Sequence, residues 1–173
     1  MDPRLTPAKS LAPAIPISEQ TRRIIEKATG KKCLTSADLP AKLELVGRKL
    51  VDVSALGAVT YLDLSDCKGI VDVSALGTVK TLLLESCTGI VDVSALSTVT
   101  HLDLSECAQL VDVSCLRGVQ QLTLRGCTGI TDVSALGTAM RLALCDCDGI
   151  TDVSALGSVQ QLDLSNCTGI TDV

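Results

Sequence analysis

One stretch is written six times. Residues 51–70, VDVSALGAVTYLDLSDCKGI, recur from Val71, Val91, Val111, Thr131 and Thr151 without insertion or deletion, and a seventh copy starts at Thr171. A fixed period of 20 residues over two thirds of the chain is the signature of a solenoid, in which each coil packs only on its neighbours. Within each copy the segment Val-x-x-Leu-x-Leu-x-x-Cys, as in Val159 to Cys167, alternates with a period of two. Alternation turns Leu162 and Leu164 inward and Gln161, Asp163 and Ser165 outward. Identical short strands one coil apart must pair in parallel.

The chain turns at Cys-x-Gly-Ile, where Gly69, Gly89, Gly129, Gly149 and Gly169 supply either positive φ or close approach, with Gln109 in the third copy. The return segment Asp-Val-Ser-Ala-Leu opens on a capping aspartate. Asp152 can accept from backbone N–H groups near Ser154 and Ala155 and start one 3₁₀ turn, with Val153, Leu156 and Val159 inward. The core must come from Leu, Val, Ile, Ala and Cys, because the chain has no Trp, no Phe and one tyrosine, Tyr61.

Residues 1–16 carry prolines at Pro7, Pro13 and Pro16 and no periodicity, which reads as a tail or extended lead-in. Residues 17–50 read as an N-terminal cap. Ser18 caps a helix from Glu19 to Lys27 or Ala28, Gly30 stops it, and Ile24, Ile25 and Ala28 form its buried face. Ser36 to Leu39 is a second short helical turn, and Leu43-Glu44-Leu45 begins a half-repeat that lacks the cysteine. Residues 51–173 are the six repeats and the start of the seventh.

Charge divides the chain. Residues 1–50 carry ten Lys/Arg against five Asp/Glu, and residues 51–173 carry five against fifteen. The array therefore has the wrong sign for nucleic acid and favours a basic partner. No run of apolar residues is long enough for a membrane span, and the proline-broken N-terminus is not a secretory core. Six of the nine cysteines (Cys67, Cys87, Cys107, Cys127, Cys147 and Cys167) share one repeat position, the pattern of buried thiols in a reducing compartment, so a cytoplasmic location is expected.

The pattern Val-x-x-Leu-x-Leu-x-x-Cys-x-x-Ile resembles the leucine-rich repeat. Cys-x-x-Ile-Thr-Asp, as in Cys147 to Asp152, looks like the cysteine-containing repeats of F-box-associated proteins, whereas Asp-Val-Ser-Ala-Leu and the helical 17–50 segment resemble bacterial internalins. The resemblance implies an α/β solenoid with a parallel sheet as its binding face, 3₁₀ turns opposite, a helical N-terminal cap and weak curvature.

Comparing the copies with each other isolates the candidates for recognition. The site before the first strand leucine reads Tyr61, Thr81, His101, Gln121, Arg141, Gln161, and the site between the leucines reads Asp63, Leu83, Asp103, Thr123, Ala143, Asp163. With Lys80 and Met140 beside them, Tyr61, Asp63, Leu83, His101, Asp103, Gln121, Arg141, Gln161 and Asp163 form the expected protein-binding face. The opposing view is drift at unconstrained positions on a face poor in aromatic anchors. The aspartate column is read as capping and not calcium, the cysteine column as structure and not zinc. Cys145 is the expected reactive thiol. His101, the only histidine, has no nucleophile or base placed with it, so no catalytic site, cofactor or metal is expected. The last coil is expected to expose Leu156, Val159, Leu162, Leu164 and Ile170 and to self-associate as a homodimer. Two roles follow: a non-enzymatic module binding a protein or peptide, or a structural or engineered scaffold with no ligand.

Overall fold

The computed structural model describes residues 14–171; the tail expected over 1–16 lies mostly outside them, as do Asp172 and Val173 of the seventh copy. The first helix, α1 (Glu19–Thr29), begins where Ser18 Oγ accepts from the Thr21 N–H and ends where Gly30 turns left-handed at φ 68°. It runs past Ala28 because Gly30, not its predecessor, takes the left-handed conformation. Its buried face is Thr21 and Ile25; Ile24 is half-buried and Ala28 is exposed. Thr21 and Ile25 stand four apart on one face. The Thr21 hydroxyl donates to the Asp52 carbonyl at 2.7 Å, so a buried polar side chain ties the cap to the first coil. Ahead of the helix, Pro16 bridges Thr35, and a 3₁₀ turn follows at Ser36–Asp38. Asp38 accepts from the Leu34 and Thr35 N–H groups, which hold its carboxyl below its ordinary value.

Seven strands of three residues follow: β1 (Lys42–Glu44), β2 (Tyr61–Asp63), β3 (Thr81–Leu83), β4 (His101–Asp103), β5 (Gln121–Thr123), β6 (Arg141–Ala143) and β7 (Gln161–Asp163). They form one parallel sheet in sequence order. Pairing is in register, Tyr61 to Thr81 to His101 and onward to Gln161, and the cap contributes the first strand through Lys42 opposite Tyr61. Opposite the sheet lie single 3₁₀ turns, such as Ser74–Leu76 and Ser94–Leu96. The fold is thus the solenoid the repeat predicted.

The core is a set of columns. In the second coil Val73, Leu76, Val79, Leu82, Leu84, Cys87 and Ile90 are all 2 % exposed or less. Each buried Leu or Ile contributes roughly 1.5–3 kcal/mol over exposure, and small similar side chains stack without gaps.

The corner after each strand has two parts. The residue before each cysteine is left-handed: Asp66, Ser86, Glu106, Asp146 and Asn166 lie at φ 58–61°, and Gly126 at 68°. The turning conformation therefore falls there and not on the later glycine column. Those glycines serve close approach: a Cβ on Gly89 would meet the Ile70 carbonyl at 2.8 Å. The cysteine thiol then stitches coils together. Cys67, Cys87, Cys107, Cys127, Cys147 and Cys167 donate to the carbonyls of Leu45, Leu64, Leu84, Leu104, Leu124 and Leu144 at 2.9–3.4 Å. Burial pushes Cys87, Cys107 and Cys127 up to about 12 and Cys147 to about 11, so the thiols keep the protons they donate.

On the return side each aspartate accepts from the serine N–H two residues on, at 2.8–3.0 Å from Asp52 through Asp152. The hydroxyl and N–H of that serine together hold the carboxyls of Asp72, Asp92, Asp112, Asp132 and Asp152 below their ordinary value.

The last described coil corrects one expectation. Leu156 is 2 % exposed and is no edge residue, because its 3₁₀ turn packs on that of Ser134–Leu136. Val159, Leu164 and Ile170 are half-buried, and Leu162 is 38 % exposed.

Candidate functional site

The outward face of the sheet gathers the residues that vary between copies. Parallel register places Tyr61, Thr81, His101, Gln121, Arg141 and Gln161 in one row and Asp63, Leu83, Asp103, Thr123, Ala143 and Asp163 in the next. Two positions apart on a strand, the rows are about 7 Å from each other. Most are half-buried by their neighbours; Arg141, Gln161 and Asp163 are exposed, as are Lys80 and Met140, the latter at 44 %.

At the cap end, the Lys42 ammonium sits 4.7 Å over the Tyr61 ring and 2.8 Å from Glu44. At the other end, over β5–β7, is a shallow hollow of about 440 Å³. Gln121, Thr123, Arg141, Gln161 and Asp163 rim it, and the short side chain of Ala143 opens it. Arg141 makes no ion pair among the described residues. Beside the hollow, Arg125 Nε is 3.1 Å from Asp146 Oδ2, and Asn166 Nδ2 donates to Asp146 Oδ1 at 2.9 Å.

The aspartates on this face have a local task that the alternation pattern did not reveal. Asp63 Oδ1 accepts from the Ser65 N–H at 3.0 Å, Asp103 Oδ1 from Ser105 at 2.9 Å and Asp163 Oδ1 from Ser165 at 2.9 Å. The Ser165 hydroxyl and N–H hold the Asp163 carboxyl below its ordinary value. The signal was present in the sequence as Asp-Leu-Ser, the same Asp-x-Ser spacing as on the return side. The second carboxylate oxygen of Asp63 and Asp103 accepts no hydrogen bond among the described residues. Glu85 and Glu106, at the strand ends, are exposed as well and were not singled out by the copy-to-copy comparison.

His101 stands between Thr81 and Gln121 in its row, with Asp103 two residues along the same outward face. Cys145 is half-buried, and burial together with Asp163 raises its thiol above its ordinary value, which works against reactivity. Among the described residues no three His, Cys, Asp or Glu side chains are grouped to hold a metal ion, and no helix is long and apolar enough to cross a membrane. The arrangement offers a surface of hydrogen-bonding and charged groups.

A sheet of in-register three-residue strands, 3₁₀ returns and a helical cap defines a leucine-rich repeat solenoid. No family model and no curated protein matches the sequence. Among solved structures, an internalin, InlF, of Listeria monocytogenes is similar at 24 % identity and a TM-score of 0.58, over 83 % of this chain and 47 % of that one. The chain thus spans about half the length of that structure. Internalin C2 of the same organism is similar at 23 % identity over 91 % of this chain and 100 % of that one, with a TM-score of 0.45. The functional domain of InlJ, also from L. monocytogenes and described as including a cysteine ladder, aligns at 20 % identity over 76 % of this chain and 36 % of that one, with a TM-score of 0.44. The chain has the internalin-like leucine-rich repeat fold.

Proposed function

We propose that this chain is a non-enzymatic binding module that takes a protein or peptide on the outward face of its sheet. The observation that carries it is the contrast inside each copy: the inward columns and Asp-Val-Ser repeat, while the outward rows through Tyr61, His101 and Arg141 change from strand to strand. Leucine-rich repeat folds typically bind proteins, which supports the same reading. The cytoplasm is the compartment proposed with it, on the strength of the buried, protonated thiols.

Selection of peptides from a displayed random library, followed by titration calorimetry, tests this. The triple variant Tyr61→Ala/His101→Ala/Arg141→Ala should weaken a selected peptide at least about tenfold, and the return-side pair Arg117→Ala/Ser158→Ala less than about twofold. Equal losses would overturn the sheet face as the site and favour the scaffold role.

A further inference from the structure

The charges on the sheet face are sorted by position along the strand. Over β1–β4, the two positions ahead of the first strand leucine hold Lys42, Lys80 and His101 and no carboxylate. From that leucine to the left-handed corner residue, that residue included, lie Glu44, Asp63, Asp66, Glu85, Asp103 and Glu106 and no Lys or Arg. Register turns this sorting into two lanes that run along the solenoid axis. Lys42 pairs with Glu44 within β1; the other five carboxylates of the lane make no ion pair among the described residues. The lane is interrupted at β5, where Arg125 points toward Asp146 and pairs with it.

We infer that the sheet face over β1–β4 docks a basic polypeptide segment laid along the solenoid axis above the carboxylate lane, an inference that rests on the sheet-face reading above. The direction follows from the sorting. A segment running with the strands would cross from one sign to the other within about 7 Å, whereas one running along the axis meets carboxylates throughout. Three strand spacings cover about 14 Å, the length of a helical segment of about ten residues. Asp63 and Asp103 each have one oxygen anchored by Ser65 and Ser105, and the other accepts no hydrogen bond among the described residues.

The test is fluorescence anisotropy with two labelled, helix-favouring Ala/Gln dodecapeptides, one carrying four lysines and the other four glutamates, in about 50 mM salt. The wild type should bind the lysine peptide at least about tenfold tighter. The face triple Asp63→Asn/Glu85→Gln/Asp103→Asn keeps the turn acceptors and should lose about tenfold. The flank triple Asp72→Asn/Asp92→Asn/Asp112→Asn removes the same charge from the return side and should lose less than about twofold. Arg125→Glu extends the lane and should strengthen an eighteen-residue lysine peptide and not the dodecapeptide. No binding of the lysine peptide, or equal losses from the two triples, overturns the inference. Both peptides binding alike, with loss on Tyr61→Ala and Leu83→Ala, would sink the charge sorting and leave the sheet face as the site.

Discussion

On the return side of the coil, Asp72, Asp92, Asp112, Asp132 and Asp152 each accept from the serine N–H two residues on; on the strand side, Asp63, Asp103 and Asp163 do the same. Among the described residues the return side never omits the bond. The strand side omits it at Leu83, Thr123 and Ala143, and β3, β5 and β6 keep the same length and register without it. The return-side aspartate stands one residue ahead of the valine that N-caps the 3₁₀ turn and anchors the first residue of a segment only one turn long, whereas a strand is held by its neighbours on both sides. An aspartate on the return side therefore reports on folding, and one on the strand side is free to be selected for its charge.

The largest effect should separate the two sides outright. Leu96→Ala, at a fully buried return-side position, should cost about 2–5 kcal/mol in urea unfolding, and Leu83→Ala on the outward strand row under about 1 kcal/mol. Equal costs would break the division. Next comes the cysteine seam that joins the sides. Unfolded thiols ionise near 9.0, but the folded Cys87, Cys107 and Cys127 sit at about 12, so the unfolded chain loses protons first as pH rises. Stability held below pH 9 should decline toward pH 12, and urea midpoints measured at about pH 8 and about pH 10.5 should differ accordingly. A flat profile would mean the thiols are not the protonated donors of the ladder.

A smaller difference compares the aspartates directly. Asp92→Ala should lower Tm by about 2–4 °C and Asp103→Ala by less than half of that. The return-side carboxyls are lowered from 3.8, so their contribution is present above that value and is lost as pH falls through the folded values. As pH falls below 3.8 the gap between the wild type and Asp92→Ala should therefore narrow in differential scanning calorimetry. The smallest effect is the sharpest for function: Tyr61→Ala and Arg141→Ala should leave Tm within about 1 °C while releasing a selected peptide.

The fold was legible because the period leaves so little freedom. Once Leu62, Leu64 and Cys67 repeat at a fixed interval, parallel register and a column core follow. The corner was less legible. The left-handed residue is written as Asp66, Ser86, Glu106, Gly126, Asp146 and Asn166, mostly residue types that tolerate positive φ, but the invariant-looking glycine nearby is the louder signal and serves a different purpose. In the cap, Thr21 went unread because periodicity marks apolar residues, and its burial depends on an acceptor 31 residues away. On the sheet face, alternation finds which residues point outward. It does not find that Asp63 is anchored by Ser65, nor that charge sorts by lane, since both emerge only when strands are laid side by side.

The thiol ladder has a consequence for how such a chain can change over generations. Every copy brings one donor, its cysteine, and one acceptor, the carbonyl of its second strand leucine, and the partner always lies in the adjacent coil. Duplicating or deleting a whole copy in frame therefore leaves no donor orphaned in the interior. Length is a heritable variable that recombination can adjust in single-coil steps, and each added coil widens the surface without asking the rest of the molecule to rearrange.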